Sequence, residues 1–296
     1  MMAWGFWATI LVSASIASIA AIGLFLQIRS GQLNVGMAVF VGVGGFVSGA
    51  LGVNYGLPPA GSIPIAVSAG FLFGTIFSFL TLRLHHWFFA VTTLALSLAA
   101  VSAIGTIPFF GGPLGLAGIP FLTSPMPIVL MLIGTLAVAY FIDRSRIGLA
   151  IRATGNDQVL AEIFGVRVRL LRVLIFGIGS AMAALSGALH AHRFGVYQPS
   201  DLGFHTSLLL FVYVIIGGKG HVLGPVLGTF FLFVMPEVLA VPAETQLLLY
   251  GSLMVIVSIF MPGGIAGGIA HFTQGFRDRA RRRSEGLASH PKDARA

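Results

Sequence analysis

Apolar runs of roughly twenty residues recur along this chain, and its polar positions fall almost entirely in the gaps between them. Runs of that length are what a helix needs to cross a bilayer. Spans are therefore predicted at about Trp4 to Gln27, Gln32 to Val53, Ile63 to Leu82, Trp87 to Ile107 and Ile128 to Ile142. A long polar gap, Arg144 to Arg172, interrupts the series. Beyond it come runs at about Val173 to Phe194, Phe204 to Ile216, Val222 to Val241 and Gln246 to Met261. The run at 204–216 is short for a crossing, and residues 195–203 either complete it or fold back as a re-entrant piece; the pattern leaves both open. The expected fold is an all-α integral membrane protein, a polytopic bundle of about nine transmembrane helices with one cytoplasmic coupling helix. The domain boundaries that follow are a membrane domain over 1–274, holding the loop 144–172, and a basic, disordered tail over 275–296.

Glycine and proline refine the elements. In the second run, the spacing of Gly45 and Gly49 lets a neighbouring helix approach closely. Asn54 to Ser62, with Pro58 and Pro59, reads as a short external turn, and the uncharged stretch Phe109 to Pro127 as an external loop that folds back on the protein.

Within the polar gap, Gly155 and Asn156 make a helix start, with Asn156 as N-cap and Asp157 at the positive end of the helix dipole; Gly165 makes a stop. Between them Val159, Leu160, Ile163 and Phe164 fall on one side, and Asp157, Gln158, Ala161 and Glu162 on the other. A helix of about nine residues is marginal alone in water and needs a surface to lie against, either the protein's own or a partner's.

Charge orients the bundle. Arg29 and Arg83 are the only formal charges in the first 142 residues, whereas six bases lie between Arg144 and Arg172 and seven between Arg277 and Arg295. Bases gather on the cytoplasmic side, so the N-terminus is outside and the C-terminus inside, with anionic lipid headgroups in contact with the basic segments. The net charge of +8 is thereby accounted for without nucleic acid. A chain that is 56% hydrophobic and 9% charged excludes the soluble classes, and the lack of cysteine excludes disulfides, thiolate metal sites and cysteine nucleophiles.

Catalytic signatures are missing. Gly217-Gly218-Lys219-Gly220 lacks the spacing and hydroxyl residue of a nucleotide-binding P-loop, and neither His-Glu-x-x-His nor Gly-x-Ser-x-Gly occurs. His85 and His86 are adjacent, point to different sides of a helix, and read as headgroup-level residues rather than metal ligands. Glu237 is the one acid read inside a span. Arg193, Asp201 and His205 fall at the outer mouth, where they form a local ion pair or contact substrate or a docking protein. A nearly neutral lining suits a non-enzymatic translocator whose energy is supplied elsewhere. The runner-up reading is a self-sufficient channel or secondary carrier for a small neutral solute.

Several strings carry a family resemblance: Ser30-Gly31-Gln32-Leu33-Asn34-Val35-Gly36, Trp87-Phe88-Phe89-Ala90-Val91-Thr92-Thr93, Gly111-Gly112-Pro113-Leu114-Gly115, Gly217 through Gly228, and Met261-Pro262-Gly263-Gly264-Ile265. In their order and spacing the chain resembles LivM-type permeases of branched-chain amino acid ABC transporters, in the wider family that includes ribose-type permeases. The string Arg152 to Asp157 is nearer the ribose-type pattern. The resemblance implies a half-transporter that pairs with a second, LivH-like permease, two ATPases and an extracytoplasmic solute-binding protein. It implies no cofactor on this chain, since ATP is bound by the partner subunits. Ala161 through Val166 is similar to the family's coupling segment, so ATPase coupling is expected at Arg152, Gly155, Asn156, Asp157, Ala161, Glu162 and Gly165.

Overall fold

The computed structural model describes residues 2–84, 86–239, 242–260 and 263–268. The expected tail at 275–296, along with His85 and Met261, lies outside the described residues. In chain order the helices are α1 (Met2–Arg29), α2 (Met37–Tyr55), α3 (Pro59–Thr81), α4 (His86–Thr106), α5 (Met126–Arg144), α6 (Arg146–Asn156), α7 (Gln158–Ile163), α8 (Val168–Phe194), α9 (Phe204–Gly217), α10 (Gly224–Val238) and α11 (Ala243–Phe260). Among the described residues six helices, α1 to α5 and α8, are long and apolar enough to cross a membrane. Three shorter apolar stretches, in α9, α10 and α11, fall on the remaining predicted runs. With 14 and 15 residues, α9 and α10 rise only about 21 to 23 Å at about 1.5 Å per residue, less than a hydrocarbon core of about 30 Å. The chain is an all-α polytopic membrane protein. Its described strands are the two-residue β1 (Leu116–Ala117) and β2 (Val196–Tyr197).

Helices α1, α2 and α8 form the centre, and α3, α4 and α5 the periphery. The apolar windows of the first three are 78%, 72% and 56% buried, against 28%, 22% and 17% for the others. Small residues allow that centre. A Cβ on Gly44 or Gly187 would collide with the backbone of Ala184 or Val41, so α2 and α8 meet almost backbone to backbone. The helix approach expected at Gly45 comes from α8, since a Cβ on Gly187 would lie 3.0 Å from the Gly45 amide nitrogen, whereas the open sides of Gly45 and Gly49 take the Tyr197 ring and the Ile119 side chain from the connections at the C-terminal end of α8.

The second helix starts at Met37 rather than Gln32, because residues 30–36 are non-helical and largely buried. Their polar groups are answered inside the protein, as backbone away from water requires. Asn34 Nδ2 donates to Gln27 Oε1 at 2.8 Å, and Gln27 Nε2 to the Phe176 carbonyl at 3.1 Å. The Val35 amide donates to Thr93 Oγ1 at 3.1 Å, and Gln32 Nε2 to Ser78 Oγ at 3.2 Å. This turn therefore stitches α1 to α3, α4 and α8.

At the end of the bundle away from the α5–α8 loop, the stretch 109–127 does fold back. Leu116 and Ile119 are buried, and β1 pairs antiparallel with β2, Leu116 opposite Tyr197. Residues 195–203 do not lengthen α9: they form β2 and a 3-10 turn at Pro199–Leu202, with Tyr197 and Leu202 buried. His192, near the end of α8, fastens these pieces. Its Nδ1 lies 2.7 Å from the Pro120 carbonyl, and its Nε2 lies 2.8 Å from Ser48 Oγ and 2.9 Å from Ser62 Oγ. A carbonyl only accepts, so Nδ1 carries the proton and Nε2 accepts from a serine hydroxyl.

Candidate functional site

The loop after α5 is a helical hairpin rather than a single helix. Ser145 is extended, at φ −80° and ψ 173°, and its Oγ accepts from the Gly148 amide at 3.4 Å, starting α6. Asp157 leaves the helical region again, at φ −151° and ψ 112°, and its Oδ1 accepts from the Leu160 amide at 3.0 Å, starting α7. Asn156 is thus the last residue of α6, and the cap passes to Asp157. The expected nine-residue helix is six residues long. Gly165, at φ +82°, ends it where expected. Gly155 is a packing residue instead of a helix start, since a Cβ there would collide with the Arg29 carbonyl oxygen. Helix α8 begins at Val168, ahead of the expected Val173, and takes Arg169 and Arg172 out of the loop.

Charges clamp the hairpin to the bundle. Asp143 Oδ1, at the end of α5, pairs with Arg29 Nη1 at 2.8 Å and with Arg152 Nη1 at 3.0 Å. Arg29 Nη2 also donates to the Gly220 carbonyl at 3.3 Å, and Arg172 Nη1 to Gln158 Oε1 at 3.4 Å. Arg152 therefore serves the clamp. Ala161 is buried against the bundle, while Glu162 and Asp157 are exposed. The apolar side of α7 faces away from the protein: Val159 is 69% exposed, Leu160 51%, Ile163 74% and Phe164 79%. Among the described residues nothing covers this face.

At the outer mouth the expected ion pair is absent. Among the described residues the ion pairs are those of Asp143, whereas Asp201 Oδ2 accepts from the Gln198 amide at 3.0 Å and caps the turn at 199–202. Asp201 instead borders a cavity of about 320 Å³ between α1, α2, α8, α9 and α10, with His190, Tyr197 and Tyr213 as further polar walls. Arg193 and His205 do not line it. Burial, and next the Asp201 charge, push the Tyr197 phenol up, so it stays a neutral O–H. His190 and His192 inside α8 escaped the sequence reading, which placed only Glu237 in a span. Their one local signal is that Ser186 and His190, four residues apart, share a helix face. No three His, Asp or Glu side chains among the described residues are grouped to hold a metal ion.

Against known proteins, the family model described as branched-chain amino acid transport system / permease component matches residues 6–258. The LivM permease of the high-affinity branched-chain amino acid system of Escherichia coli K12 is 27% identical over 275 residues, covering 80% of this chain and 64% of that protein. The LivH permease of Salmonella typhimurium is 31% identical over 141 residues, 47% of this chain and 46% of its own. LsrC, the autoinducer 2 import permease of Salmonella paratyphi B, is 25% identical over 277 residues, 84% of this chain and 75% of its own. No solved structure matches the chain.

Proposed function

Because the chain belongs to the family of branched-chain amino acid transport system permease components, we propose that it is one membrane-spanning half of an ABC importer. It translocates branched-chain amino acids or a related small polar solute in a bacterial inner membrane. Nine crossings put its N-terminus outside and its C-terminus in the cytoplasm. A second, LivH-like permease pairs with it, a solute-binding protein delivers substrate from outside, and two ATPases bind and hydrolyse the ATP. This chain contributes no catalytic group and binds no cofactor.

One observation carries the reading. A six-residue helix whose three large apolar side chains, with Phe164 just past its end, point away from the described protein, on a hairpin clamped by Asp143, is built to sit in another protein's groove. Closure of the ATPase pair would push on this rigid arm and rock the bundle between outward-open and inward-open forms. The ATPase contact runs over Val159, Leu160, Ile163 and Phe164, with Asp157, Glu162 and the turn at Gly165 beside them, while Arg152, Gly155 and Ala161 hold the arm in place and Asn156 closes α6 ahead of it.

The test is to express Glu162→Arg and Gly165→Trp variants with the four partners and isolate the complex through this chain. The ATPases are expected to be lost with both variants, while Glu162→Arg leaves the chain's unfolding temperature unchanged and Gly165→Trp, which forces a side chain into φ +82°, loosens only the end of α7. Wild-type recovery of ATPases with both variants sinks the reading. Uptake by the lone chain in vesicles, driven by an ion gradient without ATP, would establish a secondary carrier instead.

A further inference from the structure

The outer cavity is built as more than a packing gap. Its volume of about 320 Å³ sits at the small end of ligand pockets, which run from about 300 to 1,000 Å³. Its lining holds one carboxylate, Asp201, and no lysine or arginine, so its field is negative. Gln198 occupies one carboxylate oxygen, and the other makes no hydrogen bond among the described residues. Tyr197 is 1% exposed and Tyr213 6% exposed, both rings border the cavity, and neither hydroxyl is hydrogen-bonded within the described residues. Neither hydroxyl is among the fully buried polar atoms that lack a partner, so both reach open space, and with the half-used carboxylate they offer polar contacts to a ligand in the cavity. The remaining wall is apolar, from Ile16, Val41, Leu209, Leu210 and Phe233.

We propose that this cavity is a binding station for the ammonium group of a small solute with a short apolar side chain, with Asp201 as counter-ion and the Tyr197 and Tyr213 hydroxyls as further polar contacts. The proposal rests on the permease reading above and places one stop on the substrate's path within this subunit. Asp201 takes the ammonium because it is the only fixed charge in the lining, and the apolar wall takes the alkyl chain.

The chain has no cysteine, so Ser13→Cys, on a half-buried cavity residue, gives it a single thiol. In membranes bearing the full-length chain, the rates of labelling by 2-aminoethyl methanethiosulfonate and by the anionic 2-sulfonatoethyl reagent are compared. The cationic reagent is expected to react faster by about tenfold, the lower end of electrostatic steering, and Asp201→Asn to remove most of that preference. L-Leucine and isopentylamine, which carry the ammonium, are expected to slow labelling, and 4-methylpentanoate, which lacks it, to leave the rate unchanged. Thr206→Cys, also on the cavity, replaces Ser13→Cys if that variant does not fold. A preference that survives Asp201→Asn overturns the proposal, as does equal protection by 4-methylpentanoate or protection by none of the three. Labelling needs neither ATP nor partners. If labelling fails while ATP-driven uptake persists, only the station is lost; if the ATPases never dock but the labelling pattern holds, the permease reading is lost and the station stands.

Discussion

Two irregular stretches flank α8, and they dispose of their apolar side chains in opposite ways. At its outer end residues 195–203 turn Tyr197 and Leu202 inward against Gly45 and Gly42, and His192 ties the neighbouring loop down through Pro120. At its N-terminal end the hairpin α6–α7 turns Ile151 and Ala161 inward but leaves Val159, Leu160, Ile163 and Phe164 outside. The outer stretch is a finished part of the fold, whose stability comes from this chain alone. The hairpin is held by the charges at Asp143 and the packing of Ile151 and Gly155, and its α7 face lacks a cover among the described residues, as an interface does before its partner arrives.

The comparison breaks most readily at the outer end. Tyr197→Ala, which empties space beside Gly45 and Phe46, is expected to cost about 3–5 kcal/mol, read as a sharply lowered unfolding midpoint of the detergent-solubilised chain. His192→Leu leaves the Pro120 carbonyl without its donor and removes the acceptor of the serine hydroxyl that donates to Nε2. A loss of about 1–3 kcal/mol is expected, together with faster hydrogen exchange at the Ile119 and Leu122 amides. In the hairpin, Gly165→Val forces a branched residue into φ +82° and is expected to cost about 1–2 kcal/mol while loosening only the end of α7, again by exchange. Smallest is Phe164→Ala: the ring is already 79% exposed, so the lone chain's midpoint should move by no more than about 0.5 kcal/mol. Similar costs for Phe164→Ala and Tyr197→Ala would erase the distinction between the two ends.

Much of the bundle was legible because bilayer spans are long and uniformly apolar, and each predicted run does hold a helix. The face of α7 and its stop at Gly165 were legible too, because amphipathic spacing and a left-handed glycine are local signals. The cap moved by one residue, from Asn156 to Asp157, but most of the misses are long-range. Nothing near residues 30–36 says that Asn34 will meet Gln27 or that Val35 will meet Thr93, so an apolar-looking run was read as helix five residues too early. Gly155 looked like a helix start because its real constraint, the Arg29 carbonyl, lies far away in sequence. Arg152 looked like a partner contact because Asp143, its counter-charge, was assigned to the preceding span's end. Asp201 was singled out for its charge, but its companions in the cavity, His190, Tyr197 and Tyr213, come from separate elements that only packing brings together.

Hydrogen exchange compared between the lone chain and the assembled transporter tests the central claim most directly. Protection should rise at least about tenfold at the amides of 158–165 when the ATPases bind, and stay unchanged at 195–203. Bound ATPases with α7 exchanging as fast as in the lone chain would contradict the account.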